Sequence, residues 1–249
     1  MKILFNLFAA LIIFNILSCK RPTSENPVVV NPTGDLLINF KNEVDGVAIT
    51  QGGMNYTNAS GNMYGVDLLK YYVSSVILVK DDGSEYKLNN YDLINAFDAG
   101  FSNIFAQAVP NGNYTSMKFN MGVDAARNHT GAQDGDLDPS HNMIWTWSTG
   151  YIFFKHEGSY KNIVNETKVM QYHLGTDKAL SFVQIPISLM ISGANKTMNV
   201  GFNLNKMYNS PKLDFNTDSI RMSSSASDNK WIADMAANTN DAFYFKGVE

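Results

Sequence analysis

The sequence predicts an all-β protein, a single antiparallel β-sandwich that is immunoglobulin-like in general architecture. Three observations carry that reading. Several stretches alternate apolar and polar residues with period two, the mark of a half-buried strand. Turn dipeptides separate them. The composition, with 12 Tyr and 15 Phe, favours pleated surfaces, and no helical period persists beyond about three turns.

The elements follow in order from Asp35. Leu36 to Phe40 is a short apolar run. Tyr71 to Lys80 is rich in Tyr, Val and Ile, meets the turn Asp82-Gly83 and continues at Glu85 to Leu88, which predicts a β-hairpin. Asn89 to Ala99 reads as a short helix or a loop. Pro110-Asn111-Gly112 is a turn. After it Thr115, Met117, Phe119 and Met121 alternate with Ser116, Lys118 and Asn120. Ala179 to Ile191 holds Pro186, which predicts an edge or bulged strand. Met198, Val200, Phe202 and Leu204 alternate cleanly. Lys230 to Ala237 predicts one short helix, and Ala242 to Phe245 a closing strand. No repeat or composition break divides residues 35–249.

Residues 1–18 read as an address. Lys2 precedes Ile3 to Leu17, apolar except for Asn6 and Asn15. That run is short of the about 20 residues a membrane span needs and fits a secretory signal. It ends Ile16-Leu17-Ser18-Cys19, which resembles a bacterial lipoprotein signal, cut before Cys19 and acylated on it. Cys19 is the chain's only cysteine, so no internal disulfide and no CxxC site is available. Lys20 is not the Asp associated with inner-membrane retention, so the expected location is the outer membrane, facing the periplasm. Residues 19–34, with Pro22, Pro27 and Pro32, predict a stiff tether.

The 249-residue chain is 45% hydrophobic, enough for a real core, and carries a net charge of −4. Loss of residues 1–18 would remove Lys2 and no acid, leaving 18 basic and 23 acidic side chains, or −5. An acidic chain without Lys/Arg runs does not suit nucleic acid. There is no GxSxG, HExxH, GxxxxGK[ST] or GxGxxG, and the expectation is a protein that is not an enzyme. Asp134, Asp136 and Asp138 alternate as a calcium loop does, but the EF-hand positions for Gly and Glu hold Pro139 and Trp145, so an acidic turn is expected.

Met143 to Gly158, MIWTWSTGYIFFKHEG, is the unusual segment. Read as one strand, it puts Met143, Trp145 and Trp147 on one face. A Trp pair in one stripe fills a core or lines a site. The site could be a sugar-stacking platform or a soft-metal centre, since thioether and imidazole suit Cu(I). His173 lies on the more polar face of Val169 to Leu174, away from the main core, where a lone His is ordinarily solvated. His156 is expected to be packed.

Several motifs resemble the MbnP-like periplasmic copper-binding proteins. They are Tyr71-Tyr72-Val73-Ser74, Pro110-x-Gly112-x-Tyr114, Gly122-Val123-Asp124 with Asn128, and Leu137-Asp138-Pro139. Then come Met143-x-Trp145-x-Trp147-x-x-Gly150-Tyr151-x-Phe153, Glu157-Gly158 and His173-Leu174-Gly175. They run from about residue 40 to 175; beyond 176 no motif is recognised. The resemblance implies a β-sandwich that binds copper, a kynurenine formed from Trp145 or Trp147 by a di-haem cytochrome c peroxidase-like oxidase, and His173 as ligand. Met143 and His141 are further candidate donors. The alternative function is a cell-envelope module that binds glycan or protein through a Trp/Tyr surface. Antiparallel pairing of the two strand-like segments, 143–158 and 169–174, would bring the Trp pair towards His173.

Overall fold

The structure, a computed structural model, describes residues 32–145, 150–223 and 228–249. The expected leader, Cys19, nearly all of the tether and Trp147 lie outside the described residues. The first strands are β1 (Thr33–Val44), β2 (Val47–Ala48), β3 (Gly52–Thr57), β4 (Met63–Lys80), β5 (Glu85–Lys87) and β6 (Tyr91–Asn95). Next come β7 (Asn103–Pro110), β8 (Gly112–Met121), the one-turn α1 (Ala125–Asn128), β9 (Ile152–Lys161) and β10 (Thr167–Gly175). The chain continues with β11 (Ser181–Ile191), β12 (Lys196–Asn203), β13 (Ile220–Met222), α2 (Asn229–Ala242) and β14 (Phe243–Val248).

Two sheets form the sandwich. The five-stranded sheet runs β14-β12-β1-β2, with β7 also on β1. The nine-stranded sheet runs β11-β8-β4-β9-β10-β13, with β3, β5 and β6 paired to stretches of the long β4. The all-β sandwich is therefore as expected, but its sheets are mixed. The ladders β1–β12 and β10–β13 are parallel, where an antiparallel sandwich was expected. Parallel neighbours require a distant return of the chain, which leaves no mark in local periodicity.

Local signals fare well where they are local. In β8 Met117, Phe119 and Met121 are buried while Ser116, Lys118 and Asn120 are not; Thr115, read as part of the apolar set, is exposed. The β4–β5 hairpin turns at Asp82-Gly83, where Asp82 accepts from the Ser84 N–H and Gly83 has a left-handed φ of 83°. β11 is an edge strand and its pairing with β8 shifts just after Pro186, as a proline without an N–H requires. β1 starts two residues before Asp35, because Thr33 and Gly34 pair with Pro110 and Val109. The segment expected as a helix or loop at 89–99 contains β6 instead, paired with Lys70 to Ser74 of β4. The final helix runs past Ala237 to Ala242. Its buried stripe continues through Asn238 and Thr239, which are satisfied by the Met207 and Met235 carbonyls.

The core lies between the sheets. Phe40 of β1, Phe202 of β12 and Phe243 of β14 meet Tyr71 of β4 and Phe119 of β8, with ring centroids 4.7–6.4 Å apart. The fully buried Tyr71 hydroxyl donates to Asn42 Oδ1 at 2.9 Å. The outer face of the nine-stranded sheet is not bare. The connection from Gly122 to Trp145 folds back across it, pinned by Ser74 Oγ to the Gly122 carbonyl and by the Tyr72 hydroxyl to the Asp136 carbonyl. This second layer builds the site.

Candidate functional site

The motif residues resolve into a scaffold. Tyr114 donates its hydroxyl to the Pro110 carbonyl at 2.7 Å, which closes the Pro110-x-Gly112-x-Tyr114 turn. Asp138 caps the turn at Pro139 by accepting from the Ser140 N–H, and the Leu137 carbonyl accepts from the Tyr151 hydroxyl at 2.9 Å. Asp136 accepts from the Leu93 N–H. Asp134, Asp136 and Asp138 therefore do not converge, in keeping with the expected acidic turn. Asn128, buried behind Asp124, accepts from the Tyr151 N–H at 2.7 Å and donates to Asp177 at 2.8 Å.

Asn128 meets a glycine. Gly150 has φ +90°, and a Cβ there would lie 2.1 Å from Asn128 Oδ1. The Trp145 backbone N–H donates to the Gly150 carbonyl, the Ile152 backbone N–H donates to the Met143 carbonyl, and Ile144 bridges Tyr151. Met143 to Gly158 is thus not one strand. Residues 143–145 and 150–152 face each other as an antiparallel pair, and β9 proper starts at Ile152. Gly150 opens the returning arm with a left-handed φ that glycine adopts without steric cost.

This reversal sends Trp145 over the end of β10. Strands β9 and β10 are antiparallel, with His173 opposite Lys155 and Gly175 opposite Ile152. The Trp145 and His173 ring centroids are 6.0 Å apart at 53°. The expected convergence of His173 with the Trp segment is realised, through Trp145. Trp145 Nε1 rests over Gly175, where a Cβ would lie 3.0 Å from it and 2.6 Å from the Tyr151 carbonyl.

His173 is 7% exposed, not solvated. It does point away from the main core, but that outer face is covered. Trp145 packs beside it, and β13 places Met222 in register with it on the same face. Ser223 holds β13 in place: its N–H donates to the His173 carbonyl, and its hydroxyl both accepts from Gly175 N–H and donates to the Gly175 carbonyl.

The electrostatics follow from three neighbours. His173 Nε2 lies 2.7 Å from Glu157 Oε1. A carboxylate only accepts, so Nε2 carries the proton and Nδ1 the lone pair. Burial pushes the His173 pKa below its ordinary value, and nearby Lys155 pushes the same way; the Glu157 hydrogen bond opposes both. Lys155 and Lys70 donate to the carbonyls of Asn142 and His141, fastening the incoming loop to the sheet. Burial and Lys155 hold the Lys70 pKa below its usual value.

The other candidate donors are placed elsewhere. The His141 ring faces Phe101 at 5.0 Å, and its Nε2 lies 3.2 Å from the Gly135 carbonyl. Met143 is buried in the core cluster. His156 is fully buried as expected, on the opposite face. Among the described residues no group of three or more His, Cys, Asp or Glu could hold a metal ion. One imidazole is not a metal site, and unmodified indole is not a donor. As they stand, the residues offer a soft metal one imidazole, His173, with the Met222 thioether in register beside it. Trp145 itself is 6% exposed and offers no stacking platform. Sequence reading assigned no role to Glu157, Asn128, Gly175, Met222 or Ser223. The motifs contained Glu157, Asn128 and Gly175; nothing local marked Met222 or Ser223.

The fold and site together define an all-β sandwich whose buried outer-face imidazole is held by a carboxylate beside a tryptophan. A family profile described as MbnP matches residues 33–226, and the chain belongs to the MbnP family. Among solved structures it is similar to MbnP from Methylosinus trichosporium, at 16% identity and a TM-score of 0.52, over 73% of this chain and 79% of that one. At that identity the likeness shows the fold. No curated protein matches the chain.

Proposed function

We propose that this chain is a copper-handling protein of the cell envelope, with copper held at His173 beside an oxidised Trp145. The observation that carries the reading is the Glu157–His173–Trp145 arrangement in a chain of the MbnP family. A carboxylate on one imidazole nitrogen orients the ring and raises the basicity of the other, as in metal-bound histidines generally. The role is binding rather than catalysis. Oxidation of the indole falls to a di-haem peroxidase-like partner, and affinity depends on that maturation. Cys19 carries the lipid anchor, which holds the protein on the outer membrane facing the periplasm. More than one acyl chain is needed for stable anchoring.

Copper titration of oxidase-matured protein tests the site: His173→Ala should abolish tight binding, and equal affinity in both proteins would remove His173. Fractionation tests the anchor. Cys19→Ala should leave the protein unprocessed or released, and membrane recovery with normal processing would refute lipidation.

A further inference from the structure

The inner face of the same sheet carries a cluster that copper binding does not use. Tyr208, in the 3-10 turn at Leu204–Tyr208, is fully buried, and its hydroxyl is hydrogen-bonded to Nδ1 of the equally buried His156. The two rings lie 5.8 Å apart at 31°. A path of rings leads outward from there. Tyr172 is 5.6 Å from Tyr208, and Trp231 of α2 stacks on Tyr172 at 6.0 Å and 23°. Trp231 is 4% exposed and lines a surface groove with Arg221, Lys230 and Asp234.

The hydrogen bond has a direction. Nε2 of His156 is buried with no hydrogen-bond partner. If Nδ1 carried the proton, both Nε2 and the Tyr208 O–H would go unsatisfied; with the proton on Nε2, the phenol donates to Nδ1 and one group is left over. Burial supports a neutral ring, pushing the His156 pKa down to about 3. The neighbouring phenols donate to weaker bases: Tyr64 to Asn205 Oδ1 and Tyr172 to the Asp218 carbonyl. Packing alone does not require this pair. Apolar side chains would fill the space without the desolvation cost of an orphaned Nε2.

We propose that Tyr208 and His156 form a proton-coupled one-electron redox pair, connected to the surface through Tyr172 and Trp231. Tyr208 gives up one electron, which leaves by way of Tyr172 and Trp231 to a high-potential one-electron acceptor at the surface. In the same step its O–H bond breaks and the proton forms an N–H bond at Nδ1 of His156. The products are a neutral phenoxyl radical and an imidazolium. Re-reduction returns the electron and the proton to Tyr208. The preformed hydrogen bond lets the proton move without water and spares the dry core a phenol cation radical.

The test uses full-length, metal-free protein, so it stands apart from the copper reading. Photo-generated tris(bipyridine)ruthenium(III), with persulfate as the terminal acceptor, supplies the oxidant. Electron paramagnetic resonance and transient absorption read the phenoxyl radical. The expected result is a long-lived radical that forms more slowly in deuterium oxide. Its yield should fall roughly tenfold in Tyr208→Phe and in His156→Leu, and its formation should slow by a similar factor in Trp231→Phe. A signal unchanged in Tyr208→Phe would overturn the proposal. If a variant fails to fold, the isotope effect on the wild type still decides: equal rates in both solvents overturn the pair.

Discussion

The proton on His173 sits on Nε2 because Glu157, 2.7 Å away, can only accept. Everything the imidazole could do at Nδ1 is set by that contact. Lys155 Nζ lies 3.5 Å from the same carboxylate. Glu157→Gln preserves size and an acceptor oxygen but removes the charge. Copper affinity of the matured protein should then fall roughly tenfold to a hundredfold, with the fold intact. Competition titration against a chelator of known affinity measures this; an unchanged affinity would show that the carboxylate only packs.

At the scale of elements, the reversal at 143–152 and the end of β10 fit together through glycines. Gly175 lets the Trp145 indole lie directly on the strand. Gly175→Ala would drive a methyl into the Tyr151 carbonyl at 2.6 Å and the indole at 3.0 Å. The backbone partner cannot yield as a flexible side chain would. The variant should lose about 1–3 kcal/mol in denaturant unfolding. It should also change near-ultraviolet circular dichroism from tryptophan while leaving the far-ultraviolet strand signal. A wild-type near-ultraviolet spectrum would mean the indole does not rest on β10. Strand β13 shows the same dependence on a single residue. It has three residues, and Ser223 just beyond it makes three hydrogen bonds to β10.

For the whole molecule, buried titratable groups set the response to acid. His156 has its pKa pushed from an ordinary 6.5 to about 3 by burial, and His173 is shifted the same way. The folded state holds these rings neutral, so their contribution is complete above pH 6.5 and is lost as pH falls below it, for His156 down to about 3. The loss is about 1.4 kcal/mol per pH unit for each fully shifted group. Asp92 acts in the opposite sense. Burial, with Asp136 nearby, pushes its carboxyl from 3.8 up to about 6. Between those values the folded state takes up a proton that the unfolded chain does not, which favours folding as pH falls. The two effects offset each other below pH 6. Asp92→Asn removes the compensation, so on going from pH 7 to pH 5 it should lose about 1 kcal/mol more than the wild type. Urea unfolding at the two pH values reads the difference. Equal losses would show that Asp92 titrates normally in the folded state.

The sequence by itself determined the class of fold and much of the site's parts list. The alternation in β8, the Asp82-Gly83 turn and the proline in β11 are local signals, and each corresponds to the structure. The Trp145 and His173 motifs, the glycines beside them and Glu157 were present in one line of residues. Tertiary structure decided what those parts do. The parallel entry of β12 beside β1 and of β13 beside β10 depends on partners more than 40 residues apart, and periodicity carries no record of a partner. Burial of His173 was legible only once Trp145 of the 122–145 layer and β13 covered a face whose own residues look polar. The Glu157–His173 contact likewise needed the β9–β10 register, which places residues 16 apart on one face of neighbouring strands. A residue's type fixes what chemistry it can offer; which nitrogen is free, and what covers it, is settled by distant parts of the chain that pack against it.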